Sequence, residues 1–342
     1  MLQKPDLPDA KIIACLQAEY GLLVAKITFL SLGADLGTAV YRVTAADGTA
    51  YFLKLRRGTF DETSVALPKF LSDQGIAQVI APLATQAGQL WANLDAFTMI
   101  LYPFVEGRNG YEAELADRHW IEFGAALKRI HTVTVPPALI NRIPSETYSP
   151  RWRVIVKKSL ARVETDTFDD PVAVKLAAQL KVKRAEIVDL VARAERLAQA
   201  LQTHLPESVV CHADLHAGNI LIDASGAFYF IDWDTLIRAP KERDLMYAGG
   251  GQFRDARTPD EEERLLYRGY GQTPIDQRAL AYYRYERIIE DLAVECEQIF
   301  SAVGGSEDRA QALRYFRSNF APNGVLEIAY HSDKTREQED SP

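Results

Sequence analysis

The sequence has only three cysteines in 342 residues and no long hydrophobic run. Cys15, Cys211 and Cys296 are far apart, form no CxxC pair and show no Cys/His spacing typical of zinc, which excludes a disulfide scaffold. No apolar stretch approaches the roughly 18 residues that a membrane span needs, and the first residues lack the profile of a signal peptide. We therefore expect a soluble, cytoplasmic protein with no membrane partner.

Basic residues are outnumbered by acidic ones. The chain has 39 Lys and Arg against 47 Asp and Glu, which gives a formal net charge of -8. Nucleic acids are bound by clustered positive charge, so this balance argues against a nucleic-acid partner. A negatively charged chain attracts a cationic small molecule, but many proteins are acidic only for solubility. Charge alone therefore leaves the substrate open.

The remaining composition is that of a globular protein, with 47% hydrophobic and 25% charged residues. Short alternating runs and the Asp47-Gly48 hairpin signal predict strands in roughly the first hundred residues. Helical periodicity follows, for example at 117–133 and over the long stretch 172–204. We predict an α+β, bilobal fold, with a β-rich N-lobe at 1–102, a helical C-lobe at 103–335 and a polar tail at 336–342.

The sharpest chemical feature is an H-x-D-x4-N segment that starts at His212 and contains Asp214 and Asn219. A second aspartate, Asp232, ends the next apolar strand. Phosphoryl transfer needs a carboxylate that orients the attacking hydroxyl and accepts its proton, and hard oxygen ligands that hold Mg²⁺ against nucleotide phosphates. The segment therefore predicts a catalytic base and two metal ligands. The alternative is a capped turn whose polar side chains satisfy local backbone groups.

A second element lies in the predicted N-lobe. Lys54 is the one charged residue in Tyr51–Leu55, where a strand could hold its ammonium group over nucleotide phosphates. A carboxylate on the next helix would fix its position, and Glu62 is the candidate, with Asp61 as the fallback. A lone strand lysine is usually a surface residue. Its place before the Asp214 motif favours the phosphate role.

Other nucleotide-binding signals are incomplete. Gly33 and Gly37 bound a turn whose N–H groups could cover phosphates, but the turn lacks the full G-x-G-x-x-G pattern and could be a plain hairpin. The sequence contains no G-x-x-x-x-G-K-[ST], which excludes the P-loop enzymes. The apolar segment Met99–Gly107 joins the predicted lobes, and it could be an adenine slot or a plain buried strand.

Together these residues resemble the aminoglycoside phosphotransferase family, whose members are relatives of the protein kinases with the same bilobal fold. The resemblance implies that ATP and Mg²⁺ are the cofactors. It implies that Asp214 is the catalytic base and that Asn219 and Asp232 ligate the metal. It also implies that Lys54 and Glu62 form the pair that holds the phosphates.

The same resemblance implies a hinge at which the carbonyl of Pro103 and the N–H of Val105 bind adenine. Proline is acceptable at the first position because only an acceptor is needed there. The chain departs from protein kinases after Asp232, where Trp233-Asp234 replaces Phe-Gly. The following region is too short for a phosphorylated activation loop, so a regulated protein kinase is not expected.

Several peripheral stretches resemble the branch of the family that phosphorylates the aminocyclitol antibiotic spectinomycin. The resemblance implies phosphorylation of its 9-hydroxyl group, which would confer resistance. We expect the enzyme to be a monomer that acts on a cationic small molecule. One alternative is a metabolic kinase of the same fold that acts on choline, homoserine or a thiosugar. Another is a nucleotide-binding protein without catalysis. The stretches are Tyr148–Arg153, Ala239–Met246, Gly249–Gly251 and Tyr282–Asp291.

Spectinomycin carries two methylamino groups and should be cationic, so its pocket should present carboxylates. Asp234 lies two residues past Asp232 and would face the substrate if the strand continues, because side chains at that spacing share a face. The alternative for the acidic helix near residue 290 is a solvated face with i,i+4 ion pairs, such as Arg287 with Asp291. The further candidates for substrate contact are Asp244, Glu286, Glu290 and Asp291.

Overall fold

The structure is a computed structural model that describes residues 4–32, 37–203, 206–253, 257–301 and 305–339. The chain forms two compact units. Unit 1 comprises 1–119, 133–143 and 214–236, and unit 2 comprises 120–132, 144–213 and 237–342. The predicted boundary at residue 102 does not coincide with this division, because segments from the later part of the chain belong to unit 1.

The α+β class is confirmed by the element order. The strands are β1 (Val24–Leu30), β2 (Thr38–Ala45), β3 (Ala50–Arg57), β4 (Ala92–Leu94), β5 (Phe97–Pro103), β6 (Gly107–Asn109), β7 (Val209–Cys211), β8 (Ile220–Asp223), β9 (Phe228–Phe230) and β10 (Ile237–Ala239). The helices are α1 (Asp9–Tyr20), α2 (Thr63–Asp73), α3 (Asp117–Thr132), α4 (Pro137–Ile140), α5 (Arg151–Thr165), α6 (Pro171–Val182), α7 (Arg184–Thr203), α8 (Glu242–Leu245), α9 (Pro259–Tyr270), α10 (Gln277–Phe300), α11 (Ser306–Ser318) and α12 (Val325–Glu339).

Unit 1 is built on an antiparallel five-stranded sheet in the order β1-β2-β3-β5-β4. Tyr41 and Leu53 point to one face of this sheet and are buried, as expected for strands with one face in the core. Ile12 and Leu16 of α1 belong to the same buried cluster. A second sheet in the order β6-β8-β9 carries the segment of the chain that contains the predicted base and metal ligands.

Unit 2 is centred on the long helix α10, which packs against α5, α7, α11 and α12. The predicted helical stretch 172–204 is two helices, α6 and α7, separated at Lys183. Close packing of α3 on α9 depends on two glycines, because Gly124 and Gly269 leave no room for a Cβ against backbone of the other helix. Within the described ranges, no helix is long and apolar enough to cross a membrane.

Candidate active site

The loop after β7 holds Asp214 through the side chain of Asn219. The amide nitrogen Nδ2 of Asn219 donates to the backbone carbonyl of Asp214 at 2.8 Å and to its carboxylate oxygen Oδ2 at 3.1 Å. The N–H of Asn219 also donates to the carbonyl of His216 at 2.9 Å. Because Nδ2 faces Asp214, the amide oxygen Oδ1 of Asn219 points away from Asp214. Oδ1 can therefore coordinate a metal ion or accept a hydrogen bond.

Asp232 is placed next to this loop by the pairing of β8 with β9. Ile220 lies opposite Phe230, and the N–H of Ile231 donates to the carbonyl of Asn219 at 3.1 Å. Asp232 itself has a φ of 64°, in the left-handed region. Such a conformation costs a non-glycine residue about 1–3 kcal/mol and is typical of functional sites.

The strand does not continue beyond Asp232, so the reason for expecting Asp234 to face the substrate is wrong. Residues 233–235 form one turn of 3₁₀-helix, and the buried Trp233 side chain donates from Nε1 to the carbonyl of Phe230 at 3.3 Å. Asp234 instead contacts the side chains of Lys54 and Arg56 on β3.

Lys54 lies in the middle of β3 and its side chain is buried. Its ammonium nitrogen Nζ is 2.9 Å from Oδ1 of Asp232 and 2.6 Å from Oδ2 of Asp234. Arg56 contacts the other carboxylate oxygen of Asp234 at 2.7 Å. Burial alone would lower the pKa of Lys54, but the two carboxylates outweigh it and hold the pKa above its usual range. Lys54 is therefore a fixed positive charge.

The expected Lys54–Glu62 pair is not formed among the described residues. Glu62 contacts Arg142 at 2.6 Å, and both side chains are about half exposed. Asp61, the fallback, accepts hydrogen bonds from the N–H of Thr63 at 2.9 Å and from its hydroxyl at 2.8 Å. These contacts turn the chain into α2, so both acidic residues precede the helix and are engaged elsewhere.

Gly37 precedes β2, and the predicted hinge lies at the end of β5. Gly33 is outside the described residues, whereas the carbonyl of Gly37 accepts from the N–H of Arg57 at 2.9 Å. The N–H of Phe104 donates to Ala50 of β3 at 3.2 Å. The Pro103–Phe104 peptide is trans, so the Pro103 carbonyl is directed away from β3. Val105 follows β5 and is partly buried.

The polar side chains of unit 1 suit the Mg²⁺ and nucleotide that the sequence predicts as cofactors. Asn219 Oδ1 and the Asp232 carboxylate, which is 48% exposed, are hard oxygen ligands of the kind that Mg²⁺ prefers. Lys54 already neutralises carboxylates at this point, which shows that the site favours a positive charge beside Asp232. The residues therefore fit a magnesium ion, and Lys54 suits a phosphate oxygen.

In unit 2, Asp244 binds the backbone that directly precedes Asp214 in sequence. Its Oδ2 accepts from the N–H of His212 at 2.9 Å and from Nε2 of His131 at 3.0 Å, and its Oδ1 accepts from the N–H of Ala213 at 2.7 Å. The side chain is 0% exposed. The substrate role predicted for Asp244 is therefore wrong, because its carboxylate is inaccessible and already hydrogen-bonded.

Ala213 is held in a strained conformation by these contacts. Its φ is 70°, which is rare for a residue with a Cβ. The hydroxyl of Tyr247 donates to its carbonyl at 2.9 Å, while Asp244 accepts from its N–H. The N–H and the carbonyl of Ala213 are thereby both held by hydrogen bonds. Asp214 is the next residue along the chain.

The candidates on α10 differ in their surroundings. Asp291 pairs with Arg287 at 3.2 Å, as the salt-bridged helix alternative predicted. Glu290 is 3.8 Å from Arg243 and is partly exposed. Glu286 is buried against Arg153 at 3.2 Å, yet neither of its oxygens accepts a hydrogen bond from any described residue. Burial raises its pKa to about 7, although Arg153 opposes the shift.

A carboxylate oriented by an amide, two hard oxygen donors and a buried strand lysine are the parts of a phosphoryl-transfer site. The sequence profile of the phosphotransferase enzyme family matches residues 28–283 of the chain. The match covers more than half of the chain, so the protein belongs to this family. It is a phosphotransferase with an alcohol group as acceptor. Proteins of curated function gave no match in sequence comparison.

Two solved structures are similar over nearly the full length. A spectinomycin phosphotransferase in complex with ADP and spectinomycin has 35% identity and a TM-score of 0.89, and the alignment covers 96% of this chain and 99% of that one. An AMP-bound complex of a spectinomycin phosphotransferase has 34% identity and a TM-score of 0.84, with coverage of 94% and 98%. A choline kinase from Streptococcus pneumoniae, at 14% identity and a TM-score of 0.57, covers 91% of this chain and 99% of its own and shares the fold.

Proposed function

We propose that the protein transfers a phosphoryl group from ATP to spectinomycin, at the 9-hydroxyl that the sequence resemblance implies. The observation that carries the proposal is the similarity to a spectinomycin phosphotransferase over 96% of the chain. The family profile ends at residue 283, so this similarity extends beyond the part that all members share. It includes the C-terminal helices, where substrate specificity can differ between kinases with a common fold.

In this proposal Asp214 orients the attacking hydroxyl and accepts its proton. Asn219 Oδ1 and the Asp232 carboxylate hold Mg²⁺, which when bound neutralises the charge of the phosphates. Lys54 would exchange its contact with Asp232 for a phosphate oxygen and keep its contact with Asp234, which Arg56 also contacts. Catalysis is then mainly positioning and charge stabilisation.

The nucleotide would bind in unit 1 along the edge of the large sheet. Gly37 would lie beside the phosphates, together with Gly33, which the sequence predicts in the same role. The carbonyl of Pro103 points away from β3 and is an acceptor for the adenine amino group, and the N–H of Val105 is the matching donor. Both nucleotide-bound relatives support a nucleotide site in this fold.

The cationic groups of spectinomycin would bind near Glu286 and Glu290 on α10. Among the described residues, none donates a hydrogen bond to the carboxylate oxygens of Glu286. A bound ammonium group would supply such donors. Asp291 and Asp234 are less suited to the role, because Arg287 and the β3 cations already occupy them. The substrate is therefore a small cation, and the proposed enzyme is a cytoplasmic monomer.

The test is a product-mass assay of the purified protein with Mg-ATP and four acceptors. These are spectinomycin, kanamycin, choline and homoserine, with Asp214→Asn as the matched inactive variant. We expect an added phosphate on spectinomycin alone, at the hydroxyl that phosphorus-coupled NMR of the product identifies. A phosphate on a different acceptor and none on spectinomycin would overturn the substrate assignment while retaining the enzyme class.

The biological role is tested separately in cells. Expression in a spectinomycin-sensitive bacterium should raise the inhibitory concentration of spectinomycin and leave that of kanamycin unchanged. The Asp214→Asn protein, produced at the same level, should give no protection. Protection by both proteins would mean that the antibiotic is bound and sequestered, which contradicts resistance by phosphorylation.

A further inference from the structure

His216 belongs to the catalytic segment, but neither the base nor the metal assignment uses it. It follows Asp214 by two residues, and its ring nitrogen Nε2 lies 3.6 Å from Oδ2 of Asp214. Both side chains are about one-fifth exposed. This distance is longer than that of a hydrogen bond. The contact between the imidazole ring and the carboxylate is therefore electrostatic.

The tautomer of His216 follows from its second contact. The backbone N–H of Gly218 donates to Nδ1 of the ring at 3.0 Å. A backbone amide can only donate, so Nδ1 is the acceptor and the neutral ring carries its hydrogen on Nε2. Nε2 lies 3.6 Å from Oδ2 of Asp214, the same oxygen that accepts from Nδ2 of Asn219 at 3.1 Å. One oxygen of the proposed base therefore has a hydrogen bond from Asn219 and an electrostatic contact with the N–H of His216.

The ring is held in this position by Tyr111 and by the space that Gly218 leaves. Tyr111 stacks on His216 with ring centroids 5.9 Å apart and planes 18° from parallel. A Cβ at position 218 would lie 2.7 Å from Cε1 of His216 and 3.1 Å from Cε2 of Tyr111. Real Cβ atoms essentially never approach within 3.0 Å of another atom, so glycine at this position is what allows the His216 ring to lie against the loop.

We propose that His216 is a positioning residue for phosphoryl transfer. Its Nε2–H acts with Asn219 Nδ2 to fix Oδ2 of Asp214, so that the carboxylate meets the acceptor hydroxyl in one orientation. The role needs the neutral tautomer only and no change in the charge of the ring. The proposal rests on the proposed assignment of Asp214 as the base. A displacement of about 1 Å at such a group can cost up to about 100-fold in rate.

Two substitutions separate this role from that of a residue that only shapes the turn. In His216→Asn the side-chain oxygen can still accept from the N–H of Gly218, because asparagine caps turns in the same way, but no group remains at Nε2. In His216→Gln the longer amide can present an N–H to Asp214. We expect kcat to fall about tenfold in His216→Asn with the KM for ATP within twofold of wild type, and to recover in part in His216→Gln.

A third variant moves the ring without changing it. Gly218→Ala should displace both rings and lower kcat as His216→Asn does, with the same unchanged KM for ATP. It also serves if His216→Asn fails to fold, which thermal melting would show. Wild-type kcat in a folded His216→Asn protein would overturn the proposal, because the ring would then serve only to shape the turn.

The acceptor used in these assays keeps the two proposals distinguishable. Wild-type protein is assayed first with spectinomycin, and its failure to react would count against the proposed substrate alone. The variants would then be compared on the acceptor that does react, or on the slow hydrolysis of Mg-ATP with water as acceptor. The ratio of variant to wild-type kcat on that reaction confirms or overturns the role of His216 in either case.

Discussion

The carboxylates of the two units are used in opposite ways. In unit 1, Asp232 is 48% exposed and shares a lysine with Asp234, so an incoming metal ion or phosphate can compete for each charge. In unit 2, Asp244 is fully buried and accepts hydrogen bonds at both oxygens. A carboxylate whose partners can be exchanged is suited to ligand binding. One whose partners are backbone N–H groups is suited to holding the chain.

A third situation is found on α10, where Glu286 and Glu295 are buried without full compensation. Oε2 of Glu295 and both oxygens of Glu286 lack hydrogen-bond donors among the described residues. Burial raises the pKa of Glu286 to about 7, and burial with the nearby Asp291 raises that of Glu295 to about 10. These groups reduce stability when they ionise, so they provide a test of whether buried carboxylates are kept for binding or are tolerated by the core.

The largest expected effect is that of Asp214→Asn on turnover. The substitution keeps the size of the side chain and removes the proton acceptor, so kcat should fall by about 1,000-fold, within the range of general-base catalysis. Nucleotide affinity should change by less than twofold. Single-turnover kinetics and titration with a fluorescent ATP analogue measure the two quantities. A kcat within tenfold of wild type would contradict the assignment.

Asp244→Asn should act on stability in the first place. The new NH₂ group would face backbone N–H groups of the 212–213 segment, so at least one buried donor would lose its acceptor. We expect the free energy of unfolding to fall by about 3 kcal/mol, as for other buried charge partners that are removed. Urea denaturation measures it. A loss below about 1 kcal/mol, with kcat reduced as much as in Asp214→Asn, would place Asp244 in the chemistry instead.

Glu286→Gln should stabilise the protein above neutral pH. The pKa is about 7 in the folded protein against an ordinary 4.5, so the native state binds more protons between these values and the free energy of unfolding falls as pH rises through the interval. The glutamine variant lacks this penalty. It should be more stable by about 3 kcal/mol at pH 8 and equal to wild type below pH 4.5.

Glu295→Gln is the matched control on the same helix. Its carboxyl has a pKa of about 10, so the stability gained on substitution should keep growing between pH 7 and 9, where that of Glu286→Gln is constant. Only Glu286→Gln should also raise the KM for spectinomycin. Equal KM values in the two variants would remove Glu286 from the proposed substrate site.

The smallest expected effect distinguishes the two possible carboxylate partners of Lys54. Asp234→Asn should lower kcat/KM for ATP by about tenfold, because Lys54 and Arg56 lose the carboxylate that they share. Glu62→Gln should have less effect, since Glu62 pairs with Arg142. If Glu62→Gln has the larger effect, Lys54 changes its partner when nucleotide binds and the pair implied by the family is formed in that state.

Local patterns in the sequence were sufficient for the elements that lie close together in the chain. The H-x-D-x4-N spacing placed Asp214 and Asn219 in one segment, and in the structure Nδ2 of Asn219 donates to Oδ2 of Asp214 at 3.1 Å. The apolar strand before Asp232 and the alternating strand around Lys54 were likewise correct. The assignment of these four residues as base, metal ligands and phosphate contact remains a prediction.

What the sequence could not predict depends on backbone direction and on distant partners. The left-handed φ of Asp232 redirects Asp234, and no alternation pattern reports such a turn in an aspartate. Asp244 meets His131 across 113 residues of sequence, a pairing that neither spacing nor periodicity specifies. Asp61 did carry a usable signal, because an aspartate just before a helix commonly binds the first N–H groups. That preference would have argued against Asp61 as the carboxylate partner of Lys54.

The left-handed Ala213 has a consequence for anyone who builds a mutant library of this enzyme. Alanine is usually the neutral choice in scanning, yet here the parent residue already bears the strain of a Cβ at a φ of 70°. Glycine should be the best-accepted replacement, and valine or isoleucine the worst, because β-branched side chains are the least compatible with a positive φ. A sequencing-based selection would therefore rank substitutions at this position by backbone freedom.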